Sequence, residues 1–153
     1  MSHPLLCWDI YLDAKQRRLE LATDLNAIHN MILQFNWNVI DNFIEHALLW
    51  QGSTIVITNL NAEIIFASEN IFKMTGYNAQ EIIGKKPTIF QGAATETNQK
   101  ELIKASISNQ QPFEAVLTNY KKDGTHYKCH IQGFPMFNKT GKLINFVAIE
   151  KAA

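Results

Sequence analysis

The segment Leu143-Ile-Asn-Phe-Val-Ala-Ile-Glu150 constrains the fold more than any other, because it holds only two polar residues, Asn145 and Glu150. It follows a turn sequence, Asn138-Lys-Thr-Gly141, and reads as a β-strand. Successive strand side chains point to opposite faces. Ile144, Phe146, Ala148 and Glu150 therefore share the face turned to the core, while Leu143, Asn145, Val147 and Ile149 share the other. A strand apolar on both faces has to be covered on both. One cover is the domain's own interior; the other has to come from elsewhere in the chain or from a second copy.

The amino-terminal third supplies a candidate. Leu21, Leu25, Ile28, Ile32 and Phe35 are spaced by four and three residues, which aligns them along one side of a helix. Asn36-Trp37-Asn38 breaks that rhythm, since Asn favours turns and caps. A second helix is predicted from Asn38 to Trp50, burying Val39, Ile40, Phe43, Ile44, Ala47 and Leu48, with Gly52 and Ser53 ending it. Residues 1–50 are thus expected to form a helical extension that packs on the outer sheet face and helps build a homodimer. The expected interaction residues are Leu143, Val147 and Ile149 on the strand, with Leu25, Ile28, Ile32 and Phe35 on the helix.

From Thr54 the period becomes strand-like. Ile55-Val56-Ile57-Thr58 and Ile64-Ile65-Phe66 flank a turn at Leu60-Asn61-Ala62. Short helices are predicted over Ser68–Thr75, Asn78–Ile83 and Glu96–Ser108, with Asn78 and Glu81 spaced as in a capping box. Strands follow over Phe113–Tyr120 and Thr125–Phe137, joined through Lys122-Asp123-Gly124. The expectation is an α+β domain over residues 51–153: a five-stranded antiparallel sheet with short helices on one face.

Composition narrows the function classes. Fourteen basic residues balance fourteen acidic ones, and no basic block gathers, so neither nucleic acid nor an anionic membrane surface is an expected partner. Two cysteines, Cys7 and Cys129, are too few for a disulfide framework or a zinc site. The start of the chain lacks a signal-peptide pattern and no apolar run reaches about 18 residues, so a cytoplasmic location is expected.

Two motifs carry a family resemblance. Gly84-Lys-Lys-Pro-Thr-Ile-Phe-Gln-Gly92 and Asn119-Tyr-Lys-Lys-Asp-Gly124 resemble the PAS family, and within it the flavin-binding LOV branch, whose pattern is G-x-N-C-R-F-L-Q-G. The likeness runs from about Phe43 to Lys151 and implies the PAS order of strands and short helices. Pro87 stands where LOV domains carry the cysteine that bonds to flavin. Lys86 stands in the place of a flavin-binding Asn, Thr88 and Lys104 replace arginines, Cys129 replaces a pocket Asn, and Glu150 aligns with a signalling Gln. Gln91 and Asn119 are retained. The resemblance therefore implies a pocket lined by Gln91, Asn119, Lys104, Cys129, Glu150 and Phe66. No cofactor is expected to be required; flavin is the alternative. Haem is not expected, because the helix Glu96–Ser108, where haem-binding relatives carry their ligand, has no histidine.

Glu150 reads either as a proton- or ligand-sensitive contact or as a residue at a frayed strand end reaching water. Cys129 reads as packing or, less simply, as a redox-sensing thiol. His126 and His130 lie about 13 Å apart along an extended strand, too far to share a metal ion. Phe66, Phe72, Tyr77, Phe90 and Phe146 read as core. No nucleophile–base pair, metal motif or phosphate loop is present. The expected function is a non-enzymatic PAS sensory or protein-interaction module, acting through a separate partner protein unless the chain is a piece of a larger signalling protein. A cysteine-less, flavin-binding photosensor is the alternative.

Overall fold

The computed structural model describes residues 4–39 and 41–153. Helices α1 (Pro4–Gln34) and α2 (Phe43–Leu49) precede a hairpin of β1 (Thr54–Thr58) and β2 (Ile64–Ala67). Three helices follow, α3 (Ile71–Thr75), α4 (Ala79–Ile82) and α5 (Thr97–Ser108), with a 3-10 turn over Pro87–Phe90 before α5. Strands β3 (Phe113–Tyr120), β4 (His126–Phe137) and β5 (Leu143–Ala152) complete one antiparallel sheet in the order β2-β1-β5-β4-β3. The twice-apolar strand β5 is thus central, bonded to β1 on one side and β4 on the other.

Local chemistry fixes the connections. Asn138 Oδ1 accepts the backbone N–H groups of Thr140 and Lys142, closing the β4–β5 turn, where Gly141 takes φ 85° at no steric cost. Glu81 reaches back from α4 to accept the Asn78 N–H at 2.7 Å. Asp123 Oδ1 accepts the Thr125 N–H at 2.9 Å and sets the β3–β4 turn.

Both faces of the sheet are covered. On the outer face Val147, Ile149, Ile55, Ile57 and Met136 pack with Ile28 of α1 and with Ile44, Ala47 and Leu48 of α2; Leu21, Leu25, Ile32 and Phe35 join at the margin. On the inner face Val56, Ile64, Ala67, Ile71, Ile82 and Phe90 form one cluster and Met74, Leu117, Cys129 and Ile131 another. Each aliphatic side chain buried in these layers contributes roughly 1.5–3 kcal/mol, which makes the helical cover part of the folded core.

The details differ from the sequence reading in three places. The second helix begins at Phe43, not near Asn38, and Ile40 lies outside the described residues. The supposed break at Trp37 is a structural joint: Trp37 is 1% exposed, bridges to Asn138 at the end of β4, and donates its indole N–H to Asn145 Oδ1 at 2.9 Å. Phe72 is not core, because the single turn of α3 buries Ile71 and Met74 and leaves Phe72 exposed. The helices cover the outer sheet face within one chain: Ile28, Val147 and Ile149 are buried, and Leu25, Ile32, Phe35 and Leu143 are half-buried.

Candidate functional site

A cavity of about 460 Å³ lies between the inner sheet face, the 3-10 turn and α5. Pro87, Phe90, Ile103, Leu117, Ile131 and Phe146 give it an apolar wall, into which Gln91, Asn119 and Glu150 bring polar groups. Lys86, Lys100 and Lys104 also line it, from the turn and from α5. A mostly apolar cavity of this size with a few convergent polar groups is built for a small molecule.

The polar groups are unusual in their pairing. Asn119 is 3% exposed, yet its Oδ1 has no hydrogen-bond partner among the described residues. Its cross-strand neighbour Tyr127 likewise has a buried hydroxyl without a partner. Glu150, 6% exposed, sits opposite Ile131 on β5 and accepts the Cys129 thiol at 3.7 Å. Burial raises its carboxyl to about 7, against a smaller opposing effect from the thiol bond. Burial first, and then the Glu150 charge, push the Cys129 thiol well above its ordinary range, so it is not a reactive thiolate. Burial also raises the Tyr127 phenol.

Glu150 lines a second space as well. A cleft of about 540 Å³ under α1 is bounded by Arg17, Glu20, Asp24, Lys73 and Met74, and Glu150 forms part of its wall. Asp24 is 3% exposed on α1, and its carboxylate accepts the Glu69 N–H through both oxygens, at 3.1 and 3.3 Å. Burial raises its carboxyl to about 6, opposed by the Glu69 bond.

The cavity wall is braced from outside. Glu96, at the start of α5, accepts the Thr118 N–H at 2.7 Å and its hydroxyl at 2.8 Å and pairs with Lys128. The Lys128 ammonium first, and then the Thr118 N–H, hold the Glu96 carboxyl down at about 2. Gly133 lets the Phe113 ring lie on β4: a Cβ there would sit 2.2 Å from that ring.

Of the expected pocket residues, Gln91, Lys104, Asn119 and Glu150 line the same cavity. Phe66 does not. It pairs with Ile57 on the outer face and packs in the helix-side cluster, because strand alternation puts it with Ile57 and not with Val56. Cys129 lies behind the cavity, bonded to Glu150. His130 pairs with Glu114 at 2.6 Å, and among the described residues no cluster of three or more acidic, His or Cys side chains is placed to hold a metal. Sequence reasoning passed over Asp24, although a carboxylate three residues after Leu21 and four before Ile28 was a visible interruption of an apolar stripe.

A sequence profile described as PAS domain matches residues 52–151. Phototropin-1A of Oryza sativa subsp. japonica is 31% identical over 93 residues, 61% of this chain and 10% of the relative. A blue-light-activated histidine kinase of Brucella canis is 33% identical over 85 residues, 56% of this chain and 17% of the relative. The chain therefore spans less than a fifth of the length of these relatives. A Light-Oxygen-Voltage domain from a flavin-analogue study superimposes with a TM-score of 0.68 at 22% identity, over 74% of this chain and 87% of that one, a likeness of fold. Among the described residues no helix is long and apolar enough to cross a membrane. With the profile spanning every strand of the sheet and the turn and helix that enclose the cavity, the chain belongs to the PAS domain family.

Proposed function

We propose that this PAS domain is a non-enzymatic sensory and protein-interaction module of a signalling system, acting in the cytoplasm as a homodimer with a separate signalling partner. The observation that carries the reading is the position of Glu150. It stands on the central strand, in the wall of the inner cavity and in the wall of the cleft under α1. A hydrogen bond offered or withdrawn in the cavity changes the charge this carboxylate can hold. That change is felt on β5, whose other face supports α1 and α2. The similarity to a blue-light-activated histidine kinase supports a role in signal transduction.

The test uses Trp37 as a reporter in the helical layer, since Trp8 and Trp50 are both exposed. Near-ultraviolet circular dichroism between pH 5 and 9 is expected to show a transition near 7 that disappears in Glu150→Gln. A signal indifferent to Glu150 contradicts the relay.

A second reading is favoured by the unpaired Asn119 Oδ1: a bound ring such as flavin would donate to it. Gln91 and Asn119 would hold the polar edge of the ring, the apolar wall its body, and Lys86, Lys100 and Lys104 an anionic tail. Flavin would supply light absorption and an electron-accepting ring. Neither cysteine lines the cavity, so this chain offers such a ring no thiol to bond, and a response would run through reduction. Absorbance and native mass of the purified protein decide: flavin bands with the matching mass increment support this reading, and a colourless protein of unmodified mass removes it.

A further inference from the structure

The cleft under α1 is lined by six charged side chains, three of each sign, and none of them takes part in an ion pair among the described residues. Arg17, Glu20 and Asp24 come from α1, where steps of three and four residues put them on one face. Lys73 comes from α3, and Glu150 and Lys151 from the end of β5. Two of the carboxylates are buried, Asp24 at 3% and Glu150 at 6% exposure. Asp24 has the Glu69 N–H, shared between its two oxygens. Glu150 takes the Cys129 thiol on Oε2, and its Oε1 has no hydrogen-bond partner among the described residues. Burial raises both carboxyls, with no ammonium or guanidinium against either to hold it down. We propose that this cleft is a second ligand site, beside the inner cavity, for a free aliphatic α-amino acid bound as its zwitterion.

The charge pattern selects the ligand. A buried carboxylate is unfavourable without a cation against it, so the Asp24 and Glu150 end of the cleft calls for an ammonium. The Arg17 head lies at the rim, its Nη2 3.7 Å from the position a Cβ would take on Gly52. A guanidinium there offers the planar fork that pairs with a carboxylate through two hydrogen bonds. The exposed Lys73 and Lys151 add charge of the same sign. A plain anion would meet three carboxylates in this cleft, and a plain cation three basic groups. A molecule carrying both charges pairs with both sets. Leu21, Leu48 and Met74 give the wall an apolar part, which suits an aliphatic side chain better than a charged one. A volume of about 540 Å³ admits such a molecule together with water. The bound amino acid would clamp α1 to α3 and β5, because its two charged ends find partners on all three.

The test is isothermal titration calorimetry of the full chain at pH 8 with L-valine, L-leucine, L-isoleucine and L-methionine, each to about 10 mM. At least one is expected to bind with a dissociation constant below about 1 mM. The analogues that lack one charge, isopentylamine and isocaproate for L-leucine, are each expected to bind at least about tenfold more weakly. Arg17→Gln, at an exposed position, is expected to keep the wild-type melting temperature and to weaken binding at least about tenfold; Asp24→Asn is expected to weaken it as much. No binding by any of the four amino acids overturns the site and leaves the sensory role of the inner cavity standing. An amine that binds as tightly as its amino acid overturns the zwitterion. Binding that is lost with Lys104→Ala and kept with Arg17→Gln belongs to the inner cavity and also overturns the proposal.

Discussion

Single side chains decide how the two layers of this domain are joined. Asn145 is the polar member of the outer face of β5, and at 1% exposure it survives because it accepts from Trp37 and donates to the Thr58 carbonyl at 3.2 Å. Trp37→Phe removes that donor and part of the packing, and is expected to cost about 2–4 kcal/mol in urea unfolding; a loss under about 1 kcal/mol means the bond is not needed. Asn36-Trp37-Asn38 could not be read as a joint from sequence, because its partner lies more than a hundred residues away. The need for glycine at position 133 was not legible in the sequence, since only the Phe113 ring above it explains the missing side chain.

At the scale of elements, the long helix and the central strand were legible because their patterns are strictly periodic. The 4-3 stripe from Leu21 to Phe35 and the alternation from Leu143 to Glu150 each predicted a face, and the two faces meet. Short elements were not. The turn of α3 is too brief to show a period, so Phe72 was misassigned, and the facing of Phe66 was lost where a bulge shifts the β1–β2 register between Ile57 and Thr58. Asp24 ties α1 to the turn between β2 and α3 by accepting the Glu69 N–H. Its carboxyl is raised to about 6 from 3.8, so the contribution of this group to stability is full below 3.8 and is lost as pH rises through 6. Asp24→Asn keeps an acceptor without the charge and is expected to stabilise the protein by roughly 1 kcal/mol at pH 8, with little gain at pH 4. An equal change at both pH values would show that burial of the charge is not the cause.

For the whole molecule, the sheet acts as a wall shared by two compartments, a ligand-sized cavity on one side and a helical cover on the other. The family motifs pointed to four residues that border the cavity, Gln91, Lys104, Asn119 and Glu150, misplaced Phe66 and Cys129, and gave no sign that Glu150 also borders the cleft under α1, which depends on how the extension docks. A sensory role for this domain requires communication across this wall. Hydrogen exchange on the full chain, comparing wild type with Glu150→Gln at pH 8, tests it most directly. Removing the buried charge is expected to raise protection along β5 and also in α1 between Leu21 and Gln34, while the exposed amino-terminal turns stay unchanged. Protection that changes only in β5 and around the cavity, with α1 unaffected, would contradict the account.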